Sequence, residues 1–116
     1  MDALREGLSP DIVAQAKDEF DSRGYAVVRS MLSTEEVSEV REHFAWIHDT
    51  GADGNYAHAS EEEAAGDPLL AWPRVMNPHR FSETARRYLV APGYADVLRA
   101  LFEEEPLAVQ SMFYFK

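Results

Sequence analysis

The chain is 116 residues long, the size of one folding unit, and its 46% hydrophobic content suits a globular protein rather than a disordered one. Its 21 acidic residues against 11 basic ones leave a net charge of −10, which repels phosphate backbones and argues against nucleic acid as a partner. The absence of cysteine excludes disulfides, cysteine–zinc sites and thiol catalysis, and no apolar run approaches the roughly 18 residues that span a bilayer.

Met1 to Ser9 is charged and lacks the apolar core of a secretory signal, so a cytoplasmic protein that does not enter the membrane is expected. Ser9-Pro10-Asp11 then has the form of a helix start: a capping hydroxyl, a proline in the first turn, and an acid at the positive end of the dipole. Ile12, Val13, Ala16 and Phe20 follow at helical spacing, and Gly24 fits the stop. Tyr25-Ala26-Val27-Val28 reads as a short buried strand reaching Arg29.

Ser33-Thr34-Glu35-Glu36 is a capping box for a second helix, with Leu32 and Val37 at the spacing of a hydrophobic staple. Val40, Phe44 and Ile47 continue its apolar stripe, and His43 lies beside it as a boundary residue. From Asp49 to Pro68 the pattern gives way to a loop with one helical turn at Ser60 to Ala65. A loop of this length is functional or mobile. Its Asp49, Asp53, Gly54 and Asn55 do not make a calcium loop, because the third position is Gly51 and the twelfth, which needs a bidentate glutamate, is Ser60.

Trp72 to Arg80 is irregular and carries two prolines. Ser82 caps a third helix with Ala85, Tyr88 and Leu89, which Pro92-Gly93 breaks. Tyr94 to Glu104 forms a fourth, ended by Pro106, with Val97, Leu98, Leu101 and Phe102 on one face. The basic residues Arg74, His79, Arg80, Arg86 and Arg87 are spread out, as solvated charges are, rather than packed into a run.

Leu107 to Lys116 is extended. With period two, Leu107, Val109, Ser111, Phe113 and Phe115 form an apolar face, and Ala108, Gln110, Met112, Tyr114 and Lys116 form a mixed one. Such a mixed face belongs either to an ordinary half-exposed strand or to a barrel strand lining a ligand cavity. Two strands alone make a marginal sheet, so the chain is expected to be truncated.

The Phe20 to Ser30 stretch, the Leu32 to Val37 entry, Asn77-Pro78-His79-Arg80, the Val97 to Phe102 helix and Glu105 to Lys116 together resemble the amino-terminal region of the phytanoyl-CoA dioxygenase family. The resemblance covers nearly the whole chain from Phe20 onward, apart from the loop. It implies an α+β fold in which a helical part leads into the first strands of a double-stranded β-helix, the jelly-roll or cupin-like core. Residues 1–116 would be the amino-terminal part of a single dioxygenase domain, with 49–68 as a mobile loop insertion.

The resemblance further implies iron(II), held by two histidines and a carboxylate, and 2-oxoglutarate as co-substrate, for hydroxylation of a small organic substrate or acyl thioester. The family's His-x-Asp motif is absent: the four histidines are followed by Phe-Ala, Asp-Thr, Ala-Ser and Arg-Phe. Iron and 2-oxoglutarate are therefore expected in the complete protein, and no catalytic metal on this chain alone. Lys116 resembles the family's co-substrate lysine, against the plainer reading of a charge at a frayed end. Gln110 and Tyr114 share its face as further cofactor-side candidates, and Arg74 and His79 fall on a candidate substrate-side loop. The alternatives are a stand-alone acidic α-rich binding module and a metal-free relative without catalysis.

Overall fold

The structure, a computed structural model, describes residues 6–116, so the amino-terminal stretch read above lies partly outside the described residues. It is α+β and mostly helical. The described elements are α1 (Pro10–Arg23), α2 (Thr34–Thr50), α3 (Glu61–Ala64), α4 (Pro68–Ala71), β1 (Val75–Met76), a 3-10 turn (Pro78–Arg80), α5 (Glu83–Leu89), α6 (Pro92–Phe102) and β2 (Met112–Phe113). Two compact units are present. One holds the described residues through Val37 together with Arg87–Val109, and the other holds Ser38–Arg86 with Gln110–Lys116.

In the first unit α1 packs against α6. The Ser9 hydroxyl caps α1 by accepting from the Ile12 amide, and Gly24 ends the helix at φ 83°, donating its amide to the Phe20 carbonyl. Ala16 and Val97 are buried here. The capping box of α2 is made reciprocally: Glu36 Oε1 accepts from the Ser33 amide at 2.9 Å, and Ser33 Oγ accepts from the Glu36 amide at 3.1 Å. Glu36 is buried, its carbonyl accepts from the Tyr88 hydroxyl, and burial together with the Glu36 charge raises the Tyr94 phenol above its ordinary value.

The stretch read as a strand from Tyr25 to Arg29 is not one. Its backbone meets no partner strand among the described residues; the Val27 amide turns to the Glu19 carboxylate instead, and Tyr25 and Val27 are 57% and 58% exposed. Pro92 also plays a different part from the one expected. It opens α6 at its first position, where a missing amide costs nothing, while α5 has already ended at Leu89.

In the second unit Phe44, Ile47, Ala52, Val75 and Ala85 form the core, flanked by Val40, Tyr56, Phe81, Phe113 and Phe115. Ile47 and Val75 are fully buried, each contributing on the order of 1.5–3 kcal/mol. The only sheet among the described residues is antiparallel, pairing Val75 with Phe113 and Met76 with Met112. Asn77 extends it: its amide donates to the Ser111 carbonyl, and its side-chain oxygen accepts from the Ser111 amide. Phe113 stacks face to face on Phe44, with centroids 3.8 Å apart, which locks β2 onto α2.

The expected helical turn near Ser60 is α3, capped by the Ser60 hydroxyl, whereas α4 has no counterpart in the sequence reading. No helix among the described residues is long and apolar enough to cross a membrane.

Candidate functional site

The carboxy-terminal part of α2 carries His48 four residues after Phe44, on the same buried stripe. Its Nε2 lies 2.9 Å from the Ala71 carbonyl, which can only accept, so Nε2 carries the proton. The imidazole is the middle layer of a three-ring stack. Trp72 lies 3.6 Å from it at 12°, and His58 lies 3.8 Å from it at 13°, the two rings taking its opposite faces. Phe115 meets the same imidazole edge-on at 5.6 Å. A buried histidine at the end of a helix thus fixes the position of an indole from the next loop.

Two further bonds hold that loop. The Tyr56 hydroxyl donates to the Pro73 carbonyl at 2.7 Å, and the Ala59 amide donates to the Leu70 carbonyl at 3.0 Å. Within the 49–68 segment, Tyr56 and Ala59 are thereby tied to Pro73 and Leu70. Burial raises the Tyr56 phenol above its ordinary value.

Beside this stack lies a cavity of about 850 Å³ lined by Pro68, Leu69, Trp72, Pro73, Arg74, Tyr114, Phe115 and Lys116. Its wall is largely rings and aliphatic carbon, with a guanidinium, an ammonium and a phenol as its polar groups. Among the described residues neither Arg74 nor Lys116 has a carboxylate partner, although the chain is strongly acidic. A second hollow, of about 540 Å³ in the first unit, is different: Lys17 there is paired with Asp21 and Glu103, and Arg99 with Asp96 and Glu105. The hydrogen bond from Arg99 holds the Glu105 carboxyl below its ordinary value.

Of the residues singled out in the sequence, Lys116, Tyr114 and Arg74 come together in the larger cavity. Gln110 is exposed and lies outside its lining. His79 is also outside it: its Nδ1 bonds the Ser111 hydroxyl, and its carbonyl accepts from the Arg86 guanidinium, which ties the 3-10 turn to β2 and α5. His43 bonds the Ser82 hydroxyl through Nε2 at 2.6 Å, and that hydroxyl oxygen in turn accepts from the Ala85 amide, so the boundary histidine supports the start of α5.

Alternation along Leu107–Lys116 holds only in part. Phe113 and Phe115 pack on the core, but Leu107 and Val109 are 87% and 81% exposed, because pairing with β1 begins at Met112. The sequence reading missed Phe115 and the stack as cavity walls. The one local signal was the placement of His48 on the Phe44–Ile47 stripe.

The arrangement can hold an anion through two charge-assisted contacts while an apolar wall takes the rest of the molecule. A carboxylate of 2-oxoglutarate fits Lys116 and the Tyr114 hydroxyl in chemical type, which leaves the Arg74 guanidinium as a second cation in the same wall. Iron does not fit the residues present: no three His, Asp or Glu side chains among the described residues could hold a metal ion together. No protein-family model, curated protein or solved structure matches the chain.

Proposed function

We propose that this chain is the front part of an iron(II)/2-oxoglutarate-dependent dioxygenase of the phytanoyl-CoA hydroxylase type, a cytoplasmic enzyme acting on a small organic substrate or acyl thioester. The observation that carries this reading is the cavity in which Lys116, Tyr114 and Arg74 meet against Trp72. In it the Lys116 ammonium takes a carboxylate of 2-oxoglutarate, the Tyr114 hydroxyl donates to it, and the apolar wall excludes water. The β1–β2 pair stands as the first strands of a double-stranded β-helix, which residues following Lys116 complete.

Those residues also supply the metal ligands in this reading. Iron, when bound in the complete protein, supplies the oxidative decarboxylation of 2-oxoglutarate and the hydroxylation of an unactivated C–H bond. The part played by the present residues is to bind, orient and keep dry.

The test is the coding sequence after Lys116, followed by an assay of its full product. A His-x-Asp within about twenty residues, as a facial triad requires, and succinate formed from 2-oxoglutarate in the presence of iron(II) are the expected results. A stop codon directly after Lys116, or a full product that forms no succinate, leaves a binding module without catalysis.

A further inference from the structure

The cavity has a feature that a co-substrate site alone does not require. Trp72 gives one face to His48 and meets the Phe115 ring at a tilt, with centroids 5.3 Å apart, yet remains 46% exposed and lines the cavity. Tyr114 and Phe115 contribute two more rings to the same wall, and Leu69, 76% exposed, closes it with aliphatic carbon. The indole cannot swing away easily, because its neighbour His48 is buried and bonded to the Ala71 carbonyl. A fixed, open indole face is a platform for a flat ring. Two residues along the chain, Arg74 offers a planar guanidinium with no carboxylate partner among the described residues.

We propose that the substrate held in this cavity is a planar aromatic carboxylate, its ring stacked on the open face of Trp72 and its carboxylate paired with Arg74. This rests on reading the cavity as the chamber of the proposed dioxygenase, with Lys116 left to the co-substrate. A guanidinium matches a carboxylate with two parallel hydrogen bonds, which an ammonium cannot do, so Arg74 fixes the plane of the carboxylate that it holds. In a chain of net charge −10, two cations with no carboxylate partner among the described residues, set in a largely apolar wall, select an anion with an apolar body.

The test uses the full chain carrying Trp46→Phe, which leaves Trp72 as the single indole, and reads ligand binding by its fluorescence. The probes are naphthalene-2-carboxylate, its neutral carboxamide, and octanoate as an aliphatic acid of equal charge. The expected result is that the naphthoate binds about five- to tenfold more tightly than octanoate. It also binds about tenfold more tightly than the carboxamide.

Arg74→Gln, at an exposed position that the fold does not depend on, removes the preference for acid over amide. Trp72→Leu, followed by calorimetry with its folding checked by circular dichroism, removes the preference for the ring. Equal binding of octanoate and naphthoate, or an unchanged preference in Arg74→Gln, overturns the proposal. Titration with 2-oxoglutarate separates the two readings. If it fails to bind while the naphthoate binds through Trp72 and Arg74, the co-substrate assignment falls and the aromatic site stands.

Discussion

Tyr56 spans a gap that few side chains could, carrying its hydroxyl to the Pro73 carbonyl at 2.7 Å while its ring packs on the core of the second unit. Burial raises its phenol above the ordinary value, so the folded state holds this proton more tightly than the unfolded chain does. The resulting stability is complete below about pH 10 and is lost as the pH rises through the raised folded value. Denaturation of the parent protein is therefore expected to become easier above that point, and the decline should be shallower in Tyr56→Phe. Gly51 is the other residue on which this corner depends. It sits at φ 75°, and a Cβ there would meet the Tyr56 carbonyl oxygen at 2.9 Å, a contact with backbone that cannot yield cheaply. Gly51→Ala is expected to cost about 1–3 kcal/mol in denaturant unfolding, whereas the same change at Gly54, where nothing lies within 4 Å, carries only the conformational penalty.

Among the elements, α2 is the one whose two ends do different work. Its amino-terminal end is fixed by the Ser33–Glu36 box, and Ser33→Ala should destabilise the protein by about 1 kcal/mol on chemical denaturation. Its carboxy-terminal half buries Phe44, Ile47 and His48. Phe113 stacks on Phe44 and belongs to the strand pair, so Phe113→Ala is expected to cost about 3 kcal/mol and to loosen β2 from β1, read as faster amide exchange at Asn77, whose amide donates to the Ser111 carbonyl.

The caps at Ser9, Ser33 and Ser82 were legible in the sequence because a cap is made by residues three apart. The strands were not, because a strand is defined by a partner elsewhere in the chain. Tyr25–Val28 has the composition of a strand and no partner strand among the described residues, whereas Val75–Met76, between Pro73 and Pro78, is shorter than a typical strand and pairs with β2.

For the molecule as a whole, the candidate site joins what was readable and what was not. Tyr114 and Lys116 could be placed on one face by counting alternate residues, and both line the cavity. Gln110 obeyed the same count and lies outside it, since the register is held only from Ser111 onward. Trp72 reaches the site through a stack on His48, a contact across 24 positions that no local pattern encodes. What sets Arg74 and Lys116 apart is that they line one cavity, and with no carboxylate partner among the described residues of an acidic chain they make that cavity a place where an anion is welcome.

The central claim is that Lys116 holds 2-oxoglutarate, and the most direct measurement is the KM for that co-substrate in the full coding product with and without Lys116→Ala. Loss of one charge-assisted contact predicts a KM raised by roughly 10- to 100-fold, with kcat much less affected. An unchanged KM for 2-oxoglutarate in Lys116→Ala would contradict the account.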